Sequence, residues 1–211
     1  HLRIMRDRLP QADIRVLHHR SCAEIHEFSD GCYSNLKEAS DFLPEVAIIA
    51  NPAPFHIEVG QELVKIGCHL FIEKPISINS NGINDLIELA RSNNVLIQSG
   101  YNLRFNTSLI HFRSLIHDLK IGKVLSIKSE IGQYLPNWRS DSDYRTDVSA
   151  RKELGGGVLL ELSHEFDYLS WIFGKIKWVK AHVSKQSNLD IDTEDLANII
   201  LGFQSSDGSE Y

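Results

Sequence analysis

One stretch of the chain, residues 46–77, restricts the fold more than any other part of the sequence. It contains, in order, an apolar run at 46–50, Asn51-Pro52, apolar residues at helical spacing over 56–66, Gly67, a second apolar run at 69–72 and Glu73-Lys74-Pro75. A strand, a helix and a second strand in this order predict a βαβ unit with parallel strands. Because ligands of such sheets bind beyond the carboxyl ends of the strands, we expect both polar turns to lie at a binding edge.

The segments around this unit repeat the alternation of helix and strand. Apolar spacing predicts helices at 1–8, 36–43 and 83–92 and strands at 13–18 and 95–98. This alternation predicts an α/β domain with a mostly parallel sheet and helices on both of its faces.

The second half of the chain has a different periodicity. A helix is predicted at 109–119, and strand-like alternation with a period of two runs from 124 to 132. Two further runs, at 176–184 and 196–203, also have strand character, so we expect an α+β domain with a mainly antiparallel sheet. We place the boundary near Arg104, which gives domains at 1–103 and 104–211.

The βαβ stretch also resembles a known family. A strand that ends in Asn51-Pro52, His56 four residues after that proline, and a strand that runs into Glu73-Lys74-Pro75 resemble the glucose-fructose oxidoreductase / inositol dehydrogenase / rhizopine-catabolism (Gfo/Idh/MocA) family. The resemblance implies a Rossmann-like NAD(P)-binding domain followed by a substrate and oligomerisation domain. It also implies a sugar-like or cyclitol substrate and a homo-oligomer. In the family a first strand and a Gly-x-Gly-x-x-Gly turn would precede His1, so we expect a chain that is truncated at both ends.

The resemblance implies a set of cofactor contacts in the first domain. They are Asn51, Pro52, His56, Glu73, Lys74, Pro75 and Asn102. After the second strand, Arg20 and Ser21 stand about where an acidic residue of NAD enzymes binds the ribose 2′-hydroxyl, whereas an arginine accommodates a 2′-phosphate. This position favours NADP over NAD, and the alternative is a solvated basic turn.

A second group of candidate residues lies on a helix predicted at 158–173. Glu161, His164 and Asp167 are spaced i, i+3 and i+6 behind Gly155-Gly156-Gly157, which places them on one side of the helix. An acid that orients a histidine is typical of proton transfer. The alternative is a core histidine that is satisfied locally. The resemblance implies that His164 is catalytic opposite Lys74, with Glu161 where the family usually has aspartate.

Candidate substrate contacts come from two further segments and from the helix. They are Tyr101 and Arg104, then Trp138, Arg139, Tyr144 and Arg145 in the long polar segment 133–152, and Asp167. Aromatic faces with arginines suit a sugar, especially an acidic or phosphorylated one. The alternative is a surface loop that Trp138 anchors.

Composition and charge restrict the other classes of function that the chain could have. A net charge of −6 argues against a nucleic-acid binder, and no apolar run approaches the roughly 20 residues of a membrane span. Cys22, Cys32 and Cys68 have unrelated spacings, which favour free thiols in the cytoplasm over a metal site. The function predicted is therefore an NAD(P)-dependent sugar oxidoreductase. The alternative is a non-catalytic sensor or an inactive fragment on the same fold.

Overall fold

A computed structural model describes residues 1–18, 25–138 and 143–204. Its contacts divide the chain into two compact units. The first unit contains His1–Asn51 and Phe55–Ser99, and the second contains Pro52–Pro54 and the chain from Gly100 onward.

Parallel strands and their connecting helices form the first unit. The elements are α1 (Leu2–Arg8), β1 (Arg15–Leu17), β2 (Gly31–Tyr33), α2 (Leu36–Asp41), β3 (Val46–Ile49), α3 (His56–Lys65), β4 (His69–Ile72), α4 (Ile83–Ser92) and β5 (Ile97–Ser99). Strand β1 pairs in parallel with β2, and β3, β4 and β5 form a second parallel sheet in that order. The predicted parallel α/β domain is confirmed.

The core of the first unit lies between the three-stranded sheet and the apolar faces of α3 and α4. Its buried side chains are Ile49, Leu63, Val64, Cys68, Leu70, Ile72, Leu86, Ala90 and Val95. Burial of an aliphatic side chain stabilises the fold by about 1.5–3 kcal/mol, so this cluster fixes the sheet and its edges. At Gly60 a side chain would come within 3.3 Å of Leu70, which shows how closely α3 packs on the sheet.

The predicted elements of this unit differ from the observed ones mainly at one place. Strand β2 was not predicted, because three residues between polar turns show no periodicity that could identify a strand. The alternation of helix and strand is therefore interrupted by two consecutive strands, β1 and β2.

The second unit combines short helices with one antiparallel strand pair. Its helices are α5 (Thr107–His117), α6 (Leu135–Trp138), α7 (Val158–Glu161) and α8 (His164–Phe173), and its strands are β6 (Lys175–Ser184) and β7 (Leu196–Gln204). Short 3₁₀ turns occupy Asn102–Phe105, Tyr144–Thr146, Val148–Ala150 and Lys152–Leu154. Ile116, Ile172, Phe173 and Phe203 form its buried apolar cluster.

Two predictions for the second unit are wrong. Residues 124–132 form no strand in the structure, since their alternating side chains lack a neighbouring strand, and Leu125 is 82% exposed. The helix predicted at 158–173 is two helices. The chain leaves helical geometry at Leu162, which has φ −100° and ψ 24°. The predicted antiparallel pairing is confirmed for β6 and β7.

Candidate functional site

A candidate site in the first unit is the carboxyl edge of the three-stranded sheet. Ile49, Ile72 and Ser99 are aligned in the parallel register, so β3, β4 and β5 end at the same level. Asn51 follows β3, and Glu73-Lys74-Pro75 follows β4 directly. The structure therefore brings both predicted polar turns to one edge of the sheet.

His56 joins these two turns. Its side chain is 1% exposed, its Nε2 lies 2.6 Å from the carbonyl oxygen of Asn51, and its Nδ1 lies 3.1 Å from that of Pro75. Both ring nitrogens thus face backbone carbonyls, which accept hydrogen bonds. His56 thus links the two turns that carry Asn51 and Pro75.

The turn after β4 holds Glu73 and Lys74 beside the chain start. One carboxylate oxygen of Glu73 lies 2.6 Å from Nε2 of His1, and the other accepts the backbone N–H of Lys74 at 3.1 Å. The Lys74 side chain is half-buried, and its peptide bond to Pro75 is cis. The Glu73 carboxylate therefore holds the backbone of Lys74 in place.

Ser99 supplies a polar group that the sequence reasoning missed. Its hydroxyl oxygen is buried and has no hydrogen-bond partner among the described residues. A buried hydroxyl without a partner is costly, so this position suits a polar ligand. The polar turns and this hydroxyl fit a nucleotide cofactor at the sheet edge. The signal that could have identified Ser99 is its position at the end of the third parallel strand.

A separate group of candidate residues surrounds His164 in the second unit. The ring of Tyr101 meets the His164 imidazole edge-to-face, with centroids 5.5 Å apart and an interplanar angle of 87°. The Tyr101 hydroxyl donates to Oγ of the buried Ser163 at 3.4 Å. Tyr101, predicted as a substrate contact, thus touches the start of α8.

Arg104 and Asp167, both predicted as substrate contacts, bind each other. The guanidinium donates to both carboxylate oxygens at 2.7–3.1 Å. The side chain of Asp167 is only 11% exposed, and its hydrogen bonds raise the pKa of Arg104. This bidentate pair attaches the 3₁₀ turn Asn102–Phe105 to α8, while the exposed Asn102 lies in the same turn.

A cavity of about 370 Å³ lies in the second unit beside Glu161. Its lining includes Tyr134, Trp138, Glu161, Glu194 and Asp195. Trp138 and Glu161, two residues predicted from the sequence, thus share one cavity.

Tyr144 and Arg145 are engaged elsewhere. The Tyr144 hydroxyl accepts the backbone N–H of Asp190 at 3.3 Å, and Arg145 donates to both carboxylate oxygens of Asp143 at 2.7–3.0 Å. Neither residue lines the cavity beside Glu161.

Three predicted contacts, Arg20, Ser21 and Arg139, lie outside the described residues. Pro52 directly follows Asn51 in the turn after β3. Glu194, whose carboxylate accepts the N–H of Leu159, was not predicted, because this contact joins segments 35 residues apart along the chain. No local pattern could have identified it.

The described ranges 1–18, 25–138 and 143–204 contain no helix long and apolar enough to cross a membrane. They also contain no group of three or more His, Cys, Asp or Glu side chains that could hold a metal ion. The expectation of free thiols is confirmed for the buried Cys68. It is wrong for Cys32, which is disulfide-bonded, and Cys22 lies outside the described residues. The cysteines therefore do not indicate a compartment.

Relatives of this chain are known. An uncharacterized oxidoreductase of Synechocystis sp. is 29% identical over 182 residues, which cover 82% of this chain and 48% of the relative. The chain spans about half the length of the curated relatives it matches.

Solved structures share the fold. The WlbA dehydrogenase from Chromobacterium violaceum, determined in complex with NADH and UDP-GlcNAcA, matches with a TM-score of 0.76 at 17% identity, over 100% of this chain and 61% of its own. A putative NADPH-dependent oxidoreductase from Desulfitobacterium hafniense matches with a TM-score of 0.77 at 17% identity, over 99% of this chain and 62% of its own. At these identities the likeness shows the fold alone.

Family models match nearly the whole chain. Residues 1–101 match the oxidoreductase family with an NAD-binding Rossmann fold, and residues 109–208 match the GFO/IDH/MocA C-terminal domain. These two domains, in this order along one chain, show that the protein belongs to the Gfo/Idh/MocA family of oxidoreductases.

Proposed function

We propose that the protein is an NAD(P)-dependent oxidoreductase that transfers a hydride between a nicotinamide cofactor and a sugar, a sugar derivative or a cyclitol. The observation that carries this proposal is the sheet edge of the first unit. There the Glu73-Lys74-Pro75 turn, the braced Asn51 turn and the buried Ser99 hydroxyl lie at the ends of three parallel strands. That edge is where α/β sheets bind nucleotides.

Seven residues would hold the cofactor: Asn51, Pro52, Glu73, Lys74, Pro75, Ser99 and Asn102. His56 would support Asn51 and Pro75 indirectly, since its ring contacts their backbone carbonyl oxygens. The nicotinamide, when bound, would accept or donate the hydride. The protein would bind and orient the cofactor and the substrate and transfer the proton.

Lys74 and His164 would handle the proton of the reacting hydroxyl. The Lys74 ammonium can donate a hydrogen bond to the reacting oxygen, which stabilises negative charge as the proton leaves. His164 would accept that proton during oxidation and return it during reduction, with Glu161 orienting its imidazole. Tyr101 packs against one edge of this imidazole, which restricts its rotation.

The cavity beside Glu161 would hold the part of the substrate away from the reacting carbon. The exposed faces of Tyr134 and Trp138 can stack on a sugar ring, and carboxylates of Glu161 and Asp195 can accept hydrogen bonds from its hydroxyl groups. Arg139, which follows Trp138 directly along the chain, lies outside the described residues.

The cofactor would be NADP rather than NAD, because Arg20 and Ser21 follow the second predicted strand. Relative KM values for the two cofactors, and their change in Arg20→Ala, test this preference. Arg20→Ala should raise the KM for NADPH and leave that for NADH unchanged. A wild-type preference for NADH would contradict it.

Cofactor binding and turnover test the whole proposal. We would titrate the protein with NADPH and NADH by fluorescence and then follow nicotinamide absorbance with a panel of ketoses, inososes and their alcohols. Lys74→Met and His164→Asn should each lower kcat by about 10²–10⁴-fold, since general acid–base groups contribute that much. Lys65→Met and His111→Asn, which change exposed residues of the same types, are matched controls and should keep wild-type rates.

The outcomes separate the alternatives. Binding without turnover of any substrate in the panel would indicate a sensor, and absence of cofactor binding would indicate an inactive fragment. Wild-type rates in both Lys74→Met and His164→Asn would reject the assigned roles.

A further inference from the structure

We propose that Glu194 is a positioning residue that fixes the first turn of the segment carrying Glu161 and His164. The inference rests on the proposed function for the roles of those two residues. It concerns a side chain to which neither the sequence pattern nor the family resemblance assigned a role.

Glu194 holds the start of α7 with two separate groups. Its backbone carbonyl accepts the N–H of Val158 at 3.1 Å, and its carboxylate Oε1 accepts the N–H of Leu159 at 3.2 Å. These N–H groups belong to the first turn of a helix and have no partner within it. An ionised acceptor binds such a group more strongly than a neutral one.

The glycines before α7 leave the space that this carboxylate occupies. Gly157 has φ +103°, and a Cβ at this position would lie 2.4 Å from Oε1 of Glu194. A Cβ at Gly156 would lie 2.3 Å from the carbonyl oxygen of Val148. Only glycine allows both the backbone geometry and the close approach. Gly157 and the Glu194 carboxylate therefore pack directly against each other.

Neighbouring residues fix Glu194 itself. The carbonyl oxygen of Ser149 accepts the N–H of Gly157 at 3.2 Å and the hydroxyl of Thr193 at 3.3 Å. Ser149 and Thr193 are 5% and 3% exposed. The segment 193–194 is thus attached to the chain on both sides of the glycine run before any ligand binds.

The attachment leads directly to Glu161. The carbonyl oxygen of Gly157 accepts the N–H of Glu161 at 2.9 Å, so the orientation of Gly157 sets the turn on which Glu161 lies. His164 begins the next helix, where Tyr101 contacts Ser163 and the imidazole. Glu194 therefore holds the beginning of this segment and Tyr101 holds its end. Without Glu194, the glycines would give the first turn additional backbone freedom.

Amide hydrogen exchange and steady-state kinetics on the full chain test this role. Glu194→Ala should increase exchange at Leu159 by at least about tenfold, since its carboxylate acceptor is lost, whereas Val158 keeps the backbone carbonyl of residue 194 as its acceptor. It should lower kcat by roughly tenfold and leave the KM for the cofactor unchanged, because a displaced acid–base segment affects the chemical step. Glu194→Gln retains an acceptor oxygen and should restore most of the protection and of kcat.

Asp192→Ala is the matched control. Asp192 is an exposed acid two residues earlier, and its carboxylate accepts the N–H of Lys152 at 2.7 Å. Asp192 attaches its segment to Lys152, before the glycine run, without touching α7. Its loss should therefore increase exchange at Lys152 and leave kcat unchanged. A kcat defect equal to that of Glu194→Ala would show a general effect on the fold and would overturn the proposal.

A double-mutant cycle with Gly157→Ala gives a second test of the contact, for use if Glu194→Ala folds poorly. Gly157→Ala should displace the carboxylate and reproduce the kcat defect of Glu194→Ala. The Gly157→Ala/Glu194→Ala variant should then be less impaired than the product of the single effects, since both remove one contact. Multiplicative effects, or unchanged exchange at Leu159 in Glu194→Ala, would contradict the proposal. If the wild-type protein has no turnover, the proposed function fails, whereas the exchange pattern still decides whether Glu194 holds this turn.

Discussion

The two units of this protein place their candidate functional residues by different means. In the first unit, apolar side chains of α3, α4 and the parallel sheet form the buried cluster, and the polar turns follow from where the strands end. In the second unit, polar contacts of Glu194, Tyr101 and Arg104 reach Leu159, Ser163 and Asp167, close along the chain to Glu161 and His164. Hydrophobic periodicity thus places the candidate residues of the first unit, whereas specific hydrogen bonds surround those of the second.

The largest expected difference in stability is between variants in two segments for which the sequence predicts strands. Ile72 is completely buried in β4, whereas Leu125 is exposed in a segment without regular structure. Ile72→Ala should lower the free energy of unfolding by about 2–5 kcal/mol, because it leaves a cavity in the core. Leu125→Ala should change it by less than about 0.5 kcal/mol.

Denaturant titration monitored by circular dichroism measures both values. Equal losses of stability in the two variants would show that residues 124–132 are packed as the sequence pattern predicted. That result would remove the contrast between the two units.

The next effect tests the brace between the turns of the first unit. His56→Ala should lower the free energy of unfolding by roughly 2–4 kcal/mol, because it removes a buried ring and the hydrogen-bond partner of the Asn51 and Pro75 carbonyl oxygens. It should also weaken NADPH binding, measured by fluorescence titration, by more than about tenfold. Glu58→Ala, an exposed residue on the same helix, is the control and should match the wild-type protein. Wild-type affinity for NADPH in the His56→Ala variant would show that His56 does not support cofactor binding.

A smaller effect is expected for the charged pair of the second unit. Arg104→Ala and Asp167→Ala should each lower the free energy of unfolding by about 1 kcal/mol, because Arg104 is 46% exposed and solvent weakens the pair. Arg104→Lys should not restore it, since lysine cannot make the bidentate contact. Thermal unfolding of the two single variants and the double variant measures the coupling. Additive losses would show that the pair does not attach the 3₁₀ turn to α8.

The smallest effect is a pH dependence at Cys68. Burial raises the pKa of this thiol from 9.0 to about 11. Because the folded state favours the neutral thiol, its contribution to stability is complete below pH 9 and decreases as the pH rises toward 11. Alkylation of Cys68 by iodoacetamide at pH 8, followed by mass spectrometry, should be slow in the folded protein and fast in denaturant. Rapid alkylation without denaturant would show that the core of the first unit opens readily.

These contrasts explain how far the sequence predicted the structure. The βαβ unit was predicted closely because α3 spans enough turns for its apolar spacing to be distinctive, and β3 and β4 end in recognisable turns. The same reasoning missed β2, which has only three residues, and joined α7 to α8 across Leu162. Periodicity does not report where backbone geometry changes.

The candidate site shows the same limit. The alignment of Lys74 with Asn51 at the sheet edge follows from strand ends, so the sequence predicted it. The pairing of Arg104 with Asp167 and the contact of Glu194 with Leu159 join residues far apart along the chain. Local sequence patterns do not encode such partners. Arg104 and Arg145, the predicted substrate contacts among the described arginines, bind carboxylates of the protein, which the sequence did not indicate.

Transfer of deuterium tests the central claim most directly. We would incubate the protein with NADPH that carries deuterium at both C4 positions, together with a panel of ketoses and inososes, and search the alcohols formed by mass spectrometry. Our account predicts deuterium on a carbinol carbon with the wild-type protein, and a rate at least about 100-fold lower with Lys74→Met. Deuterium retained entirely on bound cofactor, with no labelled alcohol from any member of the panel, would contradict it.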